Sequence, residues 1–343
     1  MRPAAAEARR LAELARASGL GDDPAAAVEL NRHVLDVLAP SEQTPLRADV
    51  LRWQGSALLQ RGQPADAEPL YRRSLQLADA LGYDPGRAHG LHCLALVSQR
   101  RGDLSNAVAL FRAASAVAER CDDRRLLAMI HQNLGMLAEG RDERMTARTH
   151  FRSSLRLFES TNDREGMTWA LYSLAIVDVA DGRLEEADGA YDRALALARE
   201  RGDLYTEGII EENRGDLRIQ LEDLHAGAAA VERALAVAEQ RQDPTRRAAA
   251  LRLRGAIERR RRDFVKSLET LRLAVSLSDG TSDVRLRGEI LFELGESLAA
   301  SSDERSARDV WMTALDAFER IGAKAWITRV RARLGVGDRF EPS

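Results

Sequence analysis

The residues of this sequence best suited to binding a metal ion are His89, His92 and Cys93, with His131 further along the chain. In a helix, His89 and Cys93 would lie side by side, because side chains four residues apart share one face. Imidazole and thiolate groups bind zinc, but a structural zinc site needs four ligands, usually in a tighter motif. We therefore predict no metal site, and we expect the two neighbouring histidines to form hydrogen bonds on a binding surface.

A basic run, ERRRR at residues 258–262, could bind nucleic acid or an acidic protein. Surfaces that bind single-stranded RNA combine basic residues with aromatic ones, and this run contains no aromatic residue. The sequence has 51 basic and 54 acidic residues, a balance that argues against nucleic acid or an anionic membrane as the partner. Arginines at the end of a helix complement its dipole. We interpret the run as a solvated helix end, with an acidic partner as the alternative.

Common catalytic and nucleotide-binding motifs are missing, including GxxxxGK[ST], HExxH and GxSxG. We therefore predict that the protein is not an enzyme and binds no cofactor. The chain has two cysteines, no apolar stretch typical of a secretory signal and no uncharged apolar run long enough to cross a membrane. These features predict a cytoplasmic protein, and the bias towards Ala, Arg and Leu suggests a bacterial one.

The elements that position these residues follow a repeat of forty residues. Ala67 is followed four residues later by Tyr71, and the same pair of small and aromatic residues recurs at steps of forty, ending with Ala187 and Tyr191. A second series of small residues runs twelve positions upstream, from Ala15 to Gly295. Repeats of this length are typical of stacked helical units. We predict one solenoid over residues 1–343, with units at 8–47, 48–87, 88–127, 128–167, 168–207, 208–247, 248–287 and 288–327 and a cap helix at 325–335.

Aspartates mark the expected start of each helix. One series recurs every forty residues from Asp123 to Asp283, just before the first helix of a repeat. Another includes Asp23, Asp103, Asp223, Asp263 and Asp303, just before the second helices. An aspartate at this position accepts backbone N–H bonds and stabilises a helix by about 1 kcal/mol. We therefore interpret these carboxylates as helix caps rather than as catalytic or metal-binding groups.

Within a repeat the pattern is L-x-x-L-[GA], a short turn, and A-x-x-x-[YF], as in Leu134-Gly135, Ala147 and Phe151. This pattern resembles the tetratricopeptide repeat over nearly the whole chain. Two departures, the period of forty instead of 34 and the absence of a closing proline, are expected of forty-residue variants such as kinesin light chains and bacterial regulators. The resemblance implies an all-α, right-handed solenoid of about eight antiparallel helix pairs with a C-terminal capping helix. Arg329, Arg331 and Arg333 would form its polar outer face.

In that family, one arc of each first helix lines a concave groove that binds peptides. The forty-residue register assigns Trp169, Tyr172 and Ile176, in the stretch TWALYSLAIV, to this arc, while Leu171 and Leu174 face the core. It assigns the same arc to Arg52, His89, His92, Met129, Gln132, Met136, Glu212, Arg252 and Phe292. By the resemblance, Asn133 and Asn213 would hydrogen-bond the backbone of a bound peptide. We expect an apolar centre flanked by charged walls, and the alternative is that neighbouring helices cover the aromatic residues.

The sequence therefore predicts a scaffold or adaptor protein that binds a peptide segment of another protein in its groove. Arg52 and Arg252 would select acidic side chains. A regulatory protein that senses a peptide or small ligand and acts through a partner is the second hypothesis. A third is a self-assembly module in which the groove packs against another copy of the chain.

Overall fold

The computed structural model describes residues 10, 11, 13, 14, 23–38 and 43–335, and helices account for nearly all of them. Between Pro24 and Leu334 the described residues form sixteen helices. They are α1 (Pro24–Val37), α2 (Pro45–Gln60), α3 (Pro64–Ala80), α4 (Asp84–Arg100), α5 (Leu104–Arg120), α6 (Arg124–Glu139), α7 (Arg144–Ser160), α8 (Arg164–Ala180), α9 (Leu184–Glu200), α10 (Leu204–Gln220), α11 (Leu224–Gln240), α12 (Pro244–Arg260), α13 (Phe264–Ser278), α14 (Val284–Ala300), α15 (Glu304–Arg320) and α16 (Lys324–Leu334). The predicted first helix of repeat 8–47 lies mostly outside the described residues.

Helices α2 to α12, α14 and α15 end in similar turns, which are spaced in steps of twenty residues. Glycines 62, 82, 102, 182, 202 and 322 have a positive φ, a conformation that glycine adopts without strain. At the matching positions 122, 142, 162, 222, 242, 262 and 302, residues with side chains adopt it instead. Arg262 therefore takes the place of a turn glycine at the end of the basic run, with a φ of 63°.

The aspartate caps are confirmed at all ten predicted positions. Asp123 Oδ1, for example, accepts the backbone N–H of Leu126 at 3.0 Å, and Asp283 Oδ1 accepts that of Leu286 at 2.9 Å. The remaining caps are Asp23, Asp103, Asp163, Asp203, Asp223, Asp243, Asp263 and Asp303. The helix starts are thus specified locally by the sequence.

Packing within a repeat depends on a ring that lies against a small residue. Tyr71 and Phe151 are almost fully buried, with 1% and 0% of their surface exposed. A Cβ atom on Gly55 would stand 2.7 Å from the Tyr71 ring, and one on Gly135 would stand 2.5 Å from that of Phe151. Glycine at these positions therefore lets the second helix of a pair approach the backbone of the first.

The chain divides into two compact units, the N-terminal unit (Met1–Val177) and the C-terminal unit (Asp178–Ser343), with the boundary near the end of α8. In the N-terminal unit, the antiparallel pairs α2/α3, α4/α5 and α6/α7 pack side by side, and α10/α11, α12/α13 and α14/α15 do so in the C-terminal unit. The predicted fold class, an all-α array of antiparallel helix pairs, is confirmed. The single continuous domain stays a prediction. No helix among the described residues is long and apolar enough to cross a membrane.

Candidate functional site

The first helices of the N-terminal unit line a depression that we call the N-terminal concavity. Residues of α2, α4 and α6 line it, including Trp53, His89, Leu96 and Met129, and Tyr83 adds its ring from the turn before α4. Arg52 lies over the Trp53 ring, 5.7 Å from its centroid. The surface thus combines rings, a thioether and an aliphatic side chain, which are groups that bury apolar parts of a ligand.

Several polar groups of the N-terminal concavity pair with one another. Asp49 accepts hydrogen bonds at 3.0 Å both from Arg52 and from the Tyr83 hydroxyl. Burial and the Asp49 carboxylate raise the pKa of Tyr83 to about 12. His89 Nε2 lies 3.1 Å from a carboxylate oxygen of Asp123, and this bond is the main cause that lowers the pKa of Asp123. These pairs fix the positions of the side chains around the depression.

His92 and Cys93 are buried, and His131 lies elsewhere. The His92 ring packs on Phe111 with centroids 5.6 Å apart, and its Nε2 lies 3.3 Å from Asn133 Nδ2. Burial lowers the pKa of His92 to about 3 and raises that of the Cys93 thiol. His131 pairs instead with His150, whose Nδ1 atom is 2.9 Å away. The part of the chain that the structure describes contains no group of three potential metal-binding side chains.

Trp169 and Tyr172 lie half-buried next to α6. Their rings meet edge to face, with centroids 5.8 Å apart. Gln132 of α6 donates to the Ser173 hydroxyl at 2.8 Å, which joins the two helices. Met129 and Met136, with 36% and 46% of their surface exposed, follow the same side of α6. We call Met129, Gln132, Met136, Trp169 and Tyr172 the aromatic face, and half-buried Ile176 continues it along α8.

The two asparagines predicted to hold a peptide backbone bond to their own helices. Asn133 Nδ2 donates to the Met129 carbonyl at 2.8 Å, and Asn213 Nδ2 donates to the Ile209 carbonyl at 2.9 Å. Both residues remain half-buried on the predicted side of α6 and α10. Their role in contacting a peptide stays a prediction.

The C-terminal unit has its own depression, the C-terminal concavity, which is lined mainly by charged residues of α10, α12, α14 and α16. Arg259 donates to Glu293 at 2.7 Å, and Arg246 donates to Glu212 at 3.3 Å. Burial raises the pKa of Glu212 despite the nearby arginines. Arg252 lies only 14% exposed, and its one ion pair, to Glu289, is 3.7 Å long. The depression therefore holds several buried charges in close proximity.

The structure corrects two sequence-based interpretations in this region. Phe292, predicted in the groove, is fully buried because Trp326 of α16 covers it, with centroids 5.5 Å apart. The run 258–262 is only partly a solvated helix end. Arg259 points into the concavity towards Glu293, while Arg260 donates to the Ile219 carbonyl at 2.6 Å.

Sequence reasoning also missed Trp53 and Tyr83 in one depression, and Trp326 and Arg329 in the other. A signal for Arg329 was present, since it follows Glu289, which lines the same concavity, by one step of forty. The interpretation of the last helix as a polar cap hid that signal. Trp53 and Tyr83 occupy positions that the register did not assign to the groove.

Comparison with known proteins places this geometry in a family. A model described as tetratricopeptide repeat matches residues 46–120 and 86–160, and a second model with the same description matches residues 170–205. A search of curated protein sequences finds no match. The matched segments contain nearly all of α2, all of α3 to α7 and α9, and most of α8. Four residues of the aromatic face lie within them: Met129, Gln132, Met136 and Tyr172.

 Trp169, the fifth residue of the aromatic face, falls between the matched stretches 86–160 and 170–205.

Solved structures with the same fold cover nearly the whole chain. Apo RapI has a TM-score of 0.70 and 12% sequence identity, with 95% of this chain and 96% of that chain covered. The apo quorum sensor NprR from B. thuringiensis has a TM-score of 0.64 and 8% identity, covering 96% and 98%. A Rap protein complexed with Competence and Sporulation Factor has a TM-score of 0.62 and 12% identity, covering 97% of both chains. At these identities the likeness shows the fold alone. Together with the matching repeat models, it supports one conclusion: residues 46–160 and 170–205 belong to the tetratricopeptide repeat family, and the chain has the fold of such repeats.

Proposed function

We propose that this protein is a non-catalytic binding protein whose N-terminal unit recognises a peptide segment of another protein. The observation that carries the proposal is the aromatic face, where two half-buried rings lie beside two exposed methionines. Large apolar side chains left partly exposed forgo burial free energy of about 25 cal/mol per Å². Aromatic residues and methionine are also enriched at protein interfaces. A ligand that covers this face would supply the missing burial.

The surrounding residues have distinct roles in this proposal. Met129, Met136, Trp169, Tyr172 and Ile176 contact apolar side chains of the peptide. The polar residues nearby, Arg52, His89, Gln132 and Asn133, orient it, and Arg52 favours an acidic side chain. Buried His92 supports this surface through its contact with Asn133. Because hydrogen bonds such as that from Gln132 to Ser173 hold the surface in place, little side-chain entropy is lost on binding.

A second candidate is a regulator that senses a peptide and acts through a partner protein. Two structural neighbours favour it: a Rap protein whose structure contains Competence and Sporulation Factor, and the quorum sensor NprR. This candidate uses the same aromatic face, and it differs from a scaffold in requiring that peptide binding change the affinity for the partner. In both cases the protein acts by binding, without a cofactor, and in the cytoplasm.

The test is a selection of random displayed peptides on the wild-type protein, followed by measurement of the affinity of each enriched peptide by fluorescence anisotropy. The variant Trp169→Ala should bind these peptides about 30-fold more weakly, the effect of losing a hot-spot ring worth 2 kcal/mol. Tyr205→Ala is the matched control, because Tyr205 is 43% exposed but belongs to the C-terminal unit. Unchanged affinity in a folded Trp169→Ala protein would refute the proposal. Light scattering at two concentrations detects self-assembly.

The C-terminal concavity forms a second recognition surface in this proposal. Glu212, Asn213 and Arg252 are its residues predicted from sequence, and Arg252 would bind acidic groups. Its buried Nε atom has no hydrogen-bond partner, and its ion pair to Glu289 is long. A ligand oxygen could therefore complete the hydrogen bonding of this guanidinium.

A further inference from the structure

We infer that the last helix, α16, is part of a carboxylate-binding site in the C-terminal concavity, and that Arg329 is the residue that binds the carboxylate. The inference rests on the proposed function, because it names the chemical group of a peptide that this second surface recognises. Arg329 and Trp326 line the depression together with Arg252 and Glu293. The helix thus lines the concavity, which a helix that only covered the end of the core would not do.

Two aromatic rings hold the Arg329 guanidinium in place. Its central carbon lies 4.6 Å from the centroid of Phe292 and 4.9 Å from that of Trp326. Trp326 is itself fixed, since it stacks on buried Phe318 at 5.0 Å with the ring planes 8° apart. Contacts with ring faces engage the face of a guanidinium and leave its in-plane N–H groups free to donate. The rings therefore present a preorganised set of donors.

Those donors have no partner among the described residues. Within the described residues, Arg329 makes no hydrogen bond and no ion pair, and the residue is exposed. By contrast, Arg331 and Arg333 on the same helix donate to Glu319 and Glu296, each at 2.8 Å. Arg329 is therefore the arginine of α16 that remains available to a ligand.

The neighbouring carboxylates already have partners. Glu293 accepts from Arg259 at 2.7 Å, Glu289 accepts from Arg285 at 3.0 Å, and Asp216 accepts from Gln220 at 3.1 Å. An incoming anion thus meets a free guanidinium beside two glutamates that are paired with arginines and an aspartate that is hydrogen-bonded to an amide. Their residual negative charge still disfavours a doubly charged group such as a phosphate more than a singly charged carboxylate. The arginine fork matches two carboxylate oxygens.

The carboxylate could belong to an acidic side chain or to the C-terminus of a peptide, and two fluorescent probes separate these sources. The first is hexaglutamate with an amidated C-terminus, and the second is hexaserine with a free C-terminus. Hexaserine amide and hexalysine amide serve as neutral and cationic comparisons. Anisotropy titrations at low salt use wild type, Arg329→Gln and the matched control Arg331→Gln.

We expect at least one carboxylate probe to bind wild type and Arg331→Gln equally within twofold, and to bind Arg329→Gln about tenfold more weakly, since a charge-assisted hydrogen bond contributes about 1.5 kcal/mol or more. The probe that responds identifies the source of the carboxylate. Equal losses in the two variants would show general charge attraction and overturn the inference. The inference would also be overturned if wild type bound hexalysine amide in preference to both carboxylate probes, or if it bound neither carboxylate probe.

The double variant Trp169→Ala/Tyr172→Ala separates this inference from the proposed function. It should bind the carboxylate probe as wild type does while losing the peptides selected on the aromatic face. Retention of those peptides together with an Arg329-dependent carboxylate site would refute the first proposal alone. Circular dichroism checks that each variant is folded, and Arg329→Lys, which keeps the charge but loses the fork, should fall between wild type and Arg329→Gln.

Discussion

The two concavities of this protein are built from equivalent helices but have different chemistry. In the N-terminal concavity, rings and a thioether surround polar groups that are paired, such as Asp49 with Arg52 and Tyr83. In the C-terminal concavity, charged side chains predominate, and Arg252 and Arg329 keep donors that have no close partner in the described part of the chain. The first surface suits apolar side chains of a ligand, and the second suits its charged groups.

The difference shows which positions of the repeat determine the fold and which are free to vary. Ala67 and Ala187 are both fully buried, and so is the small residue at each equivalent described position. The side of the first helix that faces the concavity has no such restriction. Equivalent positions on the same backbone fold can therefore carry a tryptophan, as at residue 169, or a glutamate, as at residue 289.

The largest effect should come from a buried carboxylate in the C-terminal unit. Glu211 is fully buried, and its Oε1 accepts from Arg199 at 2.6 Å and from Arg233 at 2.5 Å. The double variant Arg199→Ala/Arg233→Ala should lower the free energy of unfolding by about 3 kcal/mol or more, because it leaves a buried charge without a cation. Urea unfolding measures this change.

Adding Glu211→Leu to that double variant tests the cause. One of the equivalent positions in the N-terminal unit holds Leu51, which is buried. If the unpaired charge causes the loss, the triple variant should recover most of the stability. A triple variant as unstable as the double one would show that the arginines stabilise the unit by packing instead.

A feature of this structure could be predicted from the sequence when the residues that cause it are close together in the chain or recur with the repeat. The helix starts were predictable, since a cap such as Asp123 bonds to a backbone N–H three residues on. The ring of Tyr71 against Gly55 follows from the forty-residue period. The burial of Phe292 and His92 could not be predicted, because it depends on which neighbouring helix covers each residue. Pairs of long side chains, such as Arg233 with Glu211, leave no periodic signal.

Acidification should change the stability contributions of His92 and Glu212 in opposite directions. The pKa of His92 is lowered by burial from 6.5 to about 3, so the unfolded chain takes up a proton below pH 6.5 that the folded chain does not. Stability of the N-terminal unit is therefore lost as the pH falls from 6.5 towards 3, by about 2 kcal/mol between pH 7 and 5. Burial raises the pKa of Glu212, so the folded carboxyl gains its proton first and stability rises as the pH falls towards 4.5.

Variants that cannot titrate isolate the two contributions. Relative to wild type, His92→Gln should gain stability on going from pH 7 to pH 5, and Glu212→Gln should lose some. Urea unfolding of the three proteins at both pH values gives these differences. A difference between wild type and His92→Gln that stays constant with pH would contradict the assignment to His92.

The smallest effect concerns the rings that pack on glycine. A Cβ on Gly135 would stand 2.5 Å from the Phe151 ring, and one on Gly255 would stand 2.5 Å from Leu271 Cγ. A phenyl ring is rigid, whereas a leucine side chain can change rotamer, so Gly135→Ala should destabilise the protein more than Gly255→Ala. Overpacking costs about 1–3 kcal/mol, offset by about 1 kcal/mol of helix propensity. We therefore expect a difference of about 1 kcal/mol between the two variants in thermal or urea unfolding.

A natural comparison within the N-terminal unit limits the size of that effect. Ala95 and Phe111 occupy the positions equivalent to Gly135 and Phe151, and both are fully buried in one core cluster. A ring can thus accommodate a methyl group when its helix shifts slightly, which keeps the cost of Gly135→Ala moderate. Equal stability of Gly135→Ala and Gly255→Ala would mean that Phe151 makes this shift as readily as Leu271 changes rotamer. The core, like the concavities, would then differ between the units in composition but not in its tolerance of change.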